Sequence, residues 1–326
     1  MNNTELMTSF KEQADRINIV MKEDLASIES PLLAQIIHHA IFQGGKRIRP
    51  LLTLLAASLI GPPPPETTRL AISFEYLHAA SLLHDDIIDH ANLRRGAQTA
   101  NTLWGMEPVI LAGDYLHARA MTLACEAGGP AALALIGLAT AAMVESEFLQ
   151  MHNAREMLIS EEKYFQVLMG KTAALIAAAC EAGIVCNHGS AAQRLALRTY
   201  GTNLGLAFQI IDDLLDYLGD PGKTGKAVGN DFQEGKMTLP LIKTLERAEN
   251  KDHETLVALL KATSQERREQ LPTAHALIEK HQGFVLARTQ AELLLTEALA
   301  GLVIFDEDHT KAHLTALAYY VLNRDK

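Results

Sequence analysis

Three carboxylates, Asp85, Asp86 and Asp89, fall within five residues of the apolar run Ser81-Leu82-Leu83-His84-Asp85-Asp86-Ile87-Ile88-Asp89. In an α-helix Asp85 and Asp89 share one face as i and i+4, with Asp86 about 100° round from Asp85. Like charges at that spacing repel unless a cation binds among them. A divalent hard cation turns the repulsion into ligation, and Mg²⁺ takes one or two carboxylates together with substrate phosphate oxygens and water. The plainer alternative is a solvated acidic face. It loses ground because the pattern recurs at Gln209-Ile210-Ile211-Asp212-Asp213-Leu214-Leu215-Asp216, with the same spacing and the same apolar filler. Two such clusters suggest facing walls of one metal site, where Mg²⁺ ions bridge carboxylates to a diphosphate.

Basic residues stand near both clusters. Gly44-Gly45-Lys46-Arg47-Ile48-Arg49-Pro50 sets three cations at the start of a helical stretch, against the preference of the helix dipole. A basic loop is one reading, and a phosphate site explains the penalty better. Arg94 and Arg95 follow the first cluster as a helix end, either neutralising it or clamping a diphosphate. After the second cluster, residues 219–236 carry five glycines with Lys223, Lys226 and Lys236. This reads as a mobile loop, and lysines on glycine hinges beside an acidic site resemble a lid over phosphate.

The elements that must position these groups are helices. Helical spacing covers residues 5–28 and 31–43, with Ser30-Pro31 as an N-cap and a proline at N1. A helix over residues 66–89 carries the first cluster and one over 190–219 the second. Further helices fit 107–127, 130–152 and 161–187, the last kinked near Gly170-Lys171-Thr172. Aromatics form only 5% of the chain and period-2 runs of Val, Ile and Thr are scarce, so the expectation is an all-α protein with essentially no sheet. The four prolines after Gly61 make a connector too short to divide domains, so residues 1–326 read as one large helical domain.

A net charge of −10 argues against nucleic acid as a partner. Cys125, Cys180 and Cys186 form no CxxC pair and read as reduced core or half-buried thiols of a cytosolic protein. The first twelve residues lack the pattern of a signal peptide. Residues 127–144 are uncharged but rich in Ala, Gly and Thr, and are expected as a buried helix rather than a membrane span.

Five motifs in order, GGKRIRP, LLHDDIID, LRRG, GKTA and FQIIDDLLDY followed by GKAVGNDFQEGK, make the chain resemble the trans-type (E) prenyl diphosphate synthases over nearly its whole length. The long-chain bacterial branch, which makes octaprenyl diphosphate, is the nearest in pattern. The resemblance implies a large helical bundle around a deep cavity, a homodimer, and Mg²⁺-dependent head-to-tail condensation of isopentenyl diphosphate with an allylic diphosphate. Three Mg²⁺ ions are implied, with Mn²⁺ able to substitute. Carried over by motif, Lys46, Arg49, His78 and Arg95 hold isopentenyl diphosphate. Arg94, Lys171, Thr172, Gln209, Lys226 and Lys236 hold or orient the allylic diphosphate, while Asp85, Asp86, Asp89, Asp212 and Asp216 ligate metal. Lys171 and Lys226 count with the aspartates among the catalytic groups.

Bland roles compete for some of these residues. His78 could be a satisfied core histidine, His84 is read as structural, and Tyr115 and Tyr217 as core or rim. Asn230 stands where relatives often place a second aspartate beside Asp231. A class I terpene cyclase also uses aspartate-rich helices, but it does not need the basic clusters for a second diphosphate. A non-catalytic partner subunit would typically have lost the aspartates. In the family the product descends along the first aspartate helix, where Ala80 and Ser81 are small. The next obstacles are Leu77, roughly 12 Å from Asp85, and Phe74, roughly 16 Å away. The expected product has about eight isoprene units, with geranylgeranyl the outcome if Leu77 or Phe74 caps the tunnel.

Overall fold

The computed structural model describes residues 3–94, 96–154, 156, 158–219 and 228–324, of which 81% of the chain is helical. Nearly every expected helix is present. α1 (Asn3–Leu25), α2 (Pro31–Phe42), α3 (Ile48–Ser58) and α4 (Thr67–Ile88) lead the chain. Ser30 caps α2 by accepting from the Leu33 amide, with Pro31 opening the helix as expected. A short antiparallel ribbon, β1 (Leu93–Arg94) and β2 (Ala97–Gln98), then precedes α5 (Ala100–Trp104) and the long α6 (Met106–Asn153). α7 (Glu161–Leu168), a π-helical turn (Met169–Ala173) and α8 (Ala174–Cys186) follow, then α9 (Ala191–Leu218). The remainder is α10 (Asn230–Glu234), α11 (Leu239–Arg247), α12 (Asn250–Lys261), α13 (Ser264–Glu269), α14 (Leu271–Lys280), α15 (Gly283–Gly301) and α16 (His309–Asn323).

Contacts divide the chain into two compact units. The first comprises Met1–Thr140, Leu175–Arg198 and Leu302–Ala316. Its centre is α4, which pairs closely with α3 and buries residues on every side, among them Leu70, Phe74, Tyr76, Leu77, Ala80 and Leu83. A helix apolar all round belongs in an interior. Here it is fixed by buried polar ties: Asp24 of α1 accepts from Arg119 of α6 and from Tyr76 of α4.

The second unit comprises Ala141–Ala174, Thr199–Gly301 and Leu317–Lys326. Its π turn is clamped between neighbours at two glycines. A Cβ on Gly170 would lie 2.5 Å from the Ala142 carbonyl oxygen of α6, and one on Gly205 of α9 would lie 2.7 Å from Ala173 Cα. The kink expected near Gly170-Lys171-Thr172 is this π turn, a feature that widens a helix locally and recurs at functional sites.

Several expectations need correction. The segment after α4 is a two-strand ribbon rather than a plain helix end, because Gly96 takes φ +80 and lets Arg94 pair with Ala97. The helices expected at 107–127 and 130–152 are, by contrast, both present as the two arms of α6, which meet at Gly129 (φ 68, ψ −168), where Pro130 lacks a backbone donor. Residues 127–144 are helical but mostly open, with only Ala132, Ile136 and Ala139 buried. Cys125 is exposed, whereas Cys180 and Cys186 are buried, and all three are free. By length and composition α6 and the segment Glu161–Cys186 are long and apolar enough to cross a membrane, but the latter is 83% buried within the fold. Of the expected loop 219–236, residues 220–227 lie outside the described residues, and residues 230–234 form α10.

Candidate active site

In the first unit the aspartates occupy the last turn of α4. Asp86 is buried at 4% exposure, Asp85 is half-buried and Asp89, the C-cap, is exposed. Arg94 of β1 reaches back, donating from Nε and Nη2 to Asp86 Oδ1 at 2.8 and 2.7 Å. Asn101 of α5 donates to the Asp86 and Ala91 carbonyls, and Thr99 donates to the Ala91 carbonyl at 2.7 Å. The ribbon therefore presses its arginine onto the cluster. His84 turns aside toward α6, its Nε2 3.3 Å from the Ile110 carbonyl and 3.7 Å from Asp114, in space left by Gly113. That agrees with a structural role.

The basic motif of this unit splits by function. Lys46 is exposed and Arg49 and His78 half-buried, so all three have solvent access. Arg47 is different: at φ +51 it folds inward, donating to Glu75 Oε1 at 2.7 Å, the Ile41 carbonyl at 2.6 Å and Asn18 Oδ1 at 2.9 Å. One of the three cations expected to face phosphate is thus a structural tie between α1, α2 and α4. Arg95 lies outside the described residues, as does Lys226.

In the second unit a chain of hydrogen bonds runs from the π turn into α9. Thr172 donates to Gln209 Oε1 at 3.1 Å, and Gln209 donates to Asp213 Oδ1 at 3.0 Å. Tyr164 of α7 donates to Asp213 Oδ2 at 2.7 Å. Asp213 is buried at 5% exposure with both oxygens engaged, which explains why it serves as an anchor while Asp212, exposed, and Asp216, half-buried, remain as ligand candidates. Lys171 pairs with Glu147 of α6 at 2.6 Å and donates to Gln150 at 3.1 Å.

α10 packs its start against the same helix. The Asp231 amide donates to Asp216 Oδ2 at 3.0 Å, and the Gly229 amide to the Asp216 carbonyl at 2.7 Å. Lys236 reaches Glu234 at 2.7 Å and Asp231 at 3.4 Å. Burial, reinforced by the charge of Asp231, pushes Asp216 up to about 6 and raises Asp213 as well. Both shifts come first from burial, which disfavours the charged carboxylate, and then from the like charge of Asp231.

Sequence reasoning missed Glu147, Gln150, Tyr164 and the anchoring role of Asp213. Glu147 and Gln150 stand three apart on one helix face, a weak signal, while Tyr164 has none. Arg324, just past α16, was also missed: its Nη2 donates to Asp212 Oδ1 at 3.0 Å.

The donor set suits a hard divalent ion. Every candidate ligand is a carboxylate oxygen, and among the described residues no three acidic, histidine or cysteine side chains converge into a ready-made cage. Mg²⁺ is one such ion, taking one or two carboxylates with substrate phosphate and water to complete its shell. An all-α fold with aspartate-rich helix ends is that of the isoprenoid synthases, and the family to which the chain belongs makes it a prenyltransferase.

The chain belongs to the polyprenyl synthetase family, whose model matches residues 30–278. It is 35% identical to a short chain isoprenyl diphosphate synthase of Methanothermobacter thermautotrophicus, covering 98% of each chain. It is 34% identical to an octaprenyl diphosphate synthase of Haemophilus influenzae, covering 92% of each. A solved decaprenyl diphosphate synthase from Rhodobacter capsulatus superposes with a TM-score of 0.90 at 35% identity, covering 100% of both chains. Members of this family use a divalent metal.

Proposed function

We propose that this enzyme condenses isopentenyl diphosphate head-to-tail with an allylic diphosphate, in the presence of Mg²⁺, to give a long polyprenyl diphosphate of about eight isoprene units. The observation that carries this reading is the pair of aspartate clusters, each of carboxylate oxygens beside basic groups. Asp85, Asp86, Asp89, Asp212 and Asp216 would hold Mg²⁺, whose bound charge would stabilise the departing diphosphate. The occupied ion number is three by family resemblance, with Mn²⁺ as a substitute.

The chain's own residues set up the rest. Lys46, Arg49, His78 and Arg95 hold the diphosphate of isopentenyl diphosphate, so that its double bond is presented to the allylic carbon. Arg94, Lys171, Thr172, Gln209, Lys226 and Lys236 hold the allylic diphosphate, and the lysines lower the barrier to C–O heterolysis by facing the oxygens where charge develops. Glu147 and Gln150 keep the Lys171 ammonium in place. The departing diphosphate accepts the proton finally lost, so no side-chain base is required.

Product length rests on α4. Ala80 and Ser81, five and four residues before Asp85, are small, and Leu77 and Phe74 are large residues further down the helix. The named relatives range from short-chain to decaprenyl synthases, so length is read from this chain's residues. Residues 1–326 act together as one catalytic body in this reading. A second copy of the chain is the partner, supported by the apolar side chains that α6 leaves open, with Leu111 at 65%, Leu138 at 71% and Phe148 at 67% exposure. Free thiols fit a cytoplasmic setting.

The test is metal dependence with single carboxylate variants. EDTA should abolish turnover and Mg²⁺ restore it, while Asp85→Ala should lower kcat by orders of magnitude with unchanged helical circular dichroism. Near-normal turnover in Asp85→Ala would remove the metal-site reading.

A further inference from the structure

Each aspartate cluster has one carboxylate held by an arginine from a later element, and each arginine engages one oxygen, Arg94 on Asp86 Oδ1 and Arg324 on Asp212 Oδ1. Arg94 has a place in the proposed reaction, whereas Arg324 has none. Its side chain is 5% exposed, against 52% for Asp212. The guanidinium lies 3.9 Å from the centre of the Phe208 ring and donates to the Phe208 carbonyl at 3.0 Å as well as to Asp212. Its Nε is buried without a hydrogen-bond partner. Removing a guanidinium from water with one donor unmet and a half-exposed counter-ion is costly, so stability alone is a poor reason for this geometry.

The chemistry of Asp212 supplies a better one. A divalent cation on its carboxylate would sit roughly 5 Å from the guanidinium, and even with water-like screening that repulsion weakens binding on the order of tenfold. A cation arriving with diphosphate brings compensating negative charge, and the unmet Nε–H offers that anion a donor.

We propose that Arg324 is a positioning residue that acts as a metal-responsive latch: it neutralises Asp212 while no metal is bound, disfavours a bare divalent cation there, and yields to a cation accompanied by diphosphate. The proposal rests on the reading of Asp212 as a metal ligand. Its effect is to couple loading of the second cluster to the presence of substrate.

Mn²⁺ binding to the full chain, followed by electron paramagnetic resonance of the free ion with and without inorganic pyrophosphate, tests it. Arg324→Gln should bind Mn²⁺ alone about tenfold more tightly than the wild type, with the difference shrinking when pyrophosphate is added. Arg324→Lys, which keeps the charge, should stay near the wild type. In the wild-type protein, hydrogen exchange over residues 317–324 should rise when Mn²⁺ and pyrophosphate are added together, and not with Mn²⁺ alone. If Arg324→Gln, or Arg324→Lys with it, folds normally and binds bare Mn²⁺ no differently from the wild type in the first case or as tightly as a neutral variant should in the second, the latch is overturned. Asp212→Asn separates the two claims. Unchanged Mn²⁺ binding in that variant removes the ligand reading itself, whereas weakened binding there with an unaltered Arg324→Gln removes the latch alone.

Discussion

Arg47→Ala should cost stability rather than substrate affinity, although the residue lies between two expected diphosphate ligands. The guanidinium is 4% exposed and Glu75 8%, at 2.7 Å. Deleting one partner of a buried ion pair leaves an uncompensated charge, at a cost of about 3–5 kcal/mol. Loss of the bonds to Asn18 and the Ile41 carbonyl acts in the same direction. Against a total stability on the order of 5–15 kcal/mol, that is a large share. Urea unfolding followed by circular dichroism should show the midpoint falling with little change in slope. The double variant Arg47→Met with Glu75→Leu should recover most of the loss, because an apolar pair of similar volume removes both charges together. At a temperature where Arg47→Ala remains folded, its KM for isopentenyl diphosphate should stay within a factor of about two of the wild type. A variant with unchanged urea midpoint and a KM raised tenfold would refute the reasoning and return Arg47 to the substrate site.

Arg49→Ala should do the opposite, raising KM for isopentenyl diphosphate far more than for the allylic substrate, as steady-state kinetics with each substrate varied would read. Gly170→Ala, whose Cβ would meet the Ala142 carbonyl at 2.5 Å, should displace the π turn and lower both the melting temperature and kcat. Stability of the metal-free protein should depend on pH through Asp216, whose folded value of about 6 lies above the ordinary 3.8. A raised carboxyl contributes stability that is present below 3.8 and lost as pH rises through about 6, so the melting temperature should fall over that window. Asp216→Asn should flatten the fall, and a melting temperature that instead rose from pH 4 to 6 in the wild type alone would contradict it. Ser81→Phe should shorten the product while sparing the first condensations. Ser81 is half-buried, whereas Ala80 is fully buried and a phenylalanine there risks overpacking the core, so Ser81 is the cleaner test on product chromatography.

Much of the helical frame was legible because its signals are local. Ser30-Pro31 states a helix start in two residues, and the aspartate helices end within one residue or two of their expected bounds. Gly170-Lys171-Thr172 announced a break, although only the packing of Ala142 and Ala173 against its glycines shows the break to be a π turn. What stayed hidden depends on partners distant in the chain. Nothing local distinguishes Arg47 from Lys46 and Arg49; the difference is Glu75, 28 residues on. Tyr164 reaches Asp213 across 49 residues and Arg324 reaches Asp212 across 112, so neither leaves a spacing pattern. Residues 127–144 misled through composition, since Ala and Gly serve equally in a core or on an open helix face, and only Ala132, Ile136 and Ala139 turn inward.

The most direct test of the central claim is the product itself. Incubating the enzyme with farnesyl diphosphate, labelled isopentenyl diphosphate and Mg²⁺, then separating the dephosphorylated products by reversed-phase chromatography, reads reaction and chain length together. The account predicts label in a polyprenol of about eight isoprene units, dependent on Mg²⁺. No incorporation into any prenol, or a product that ends at geranylgeraniol, would contradict it.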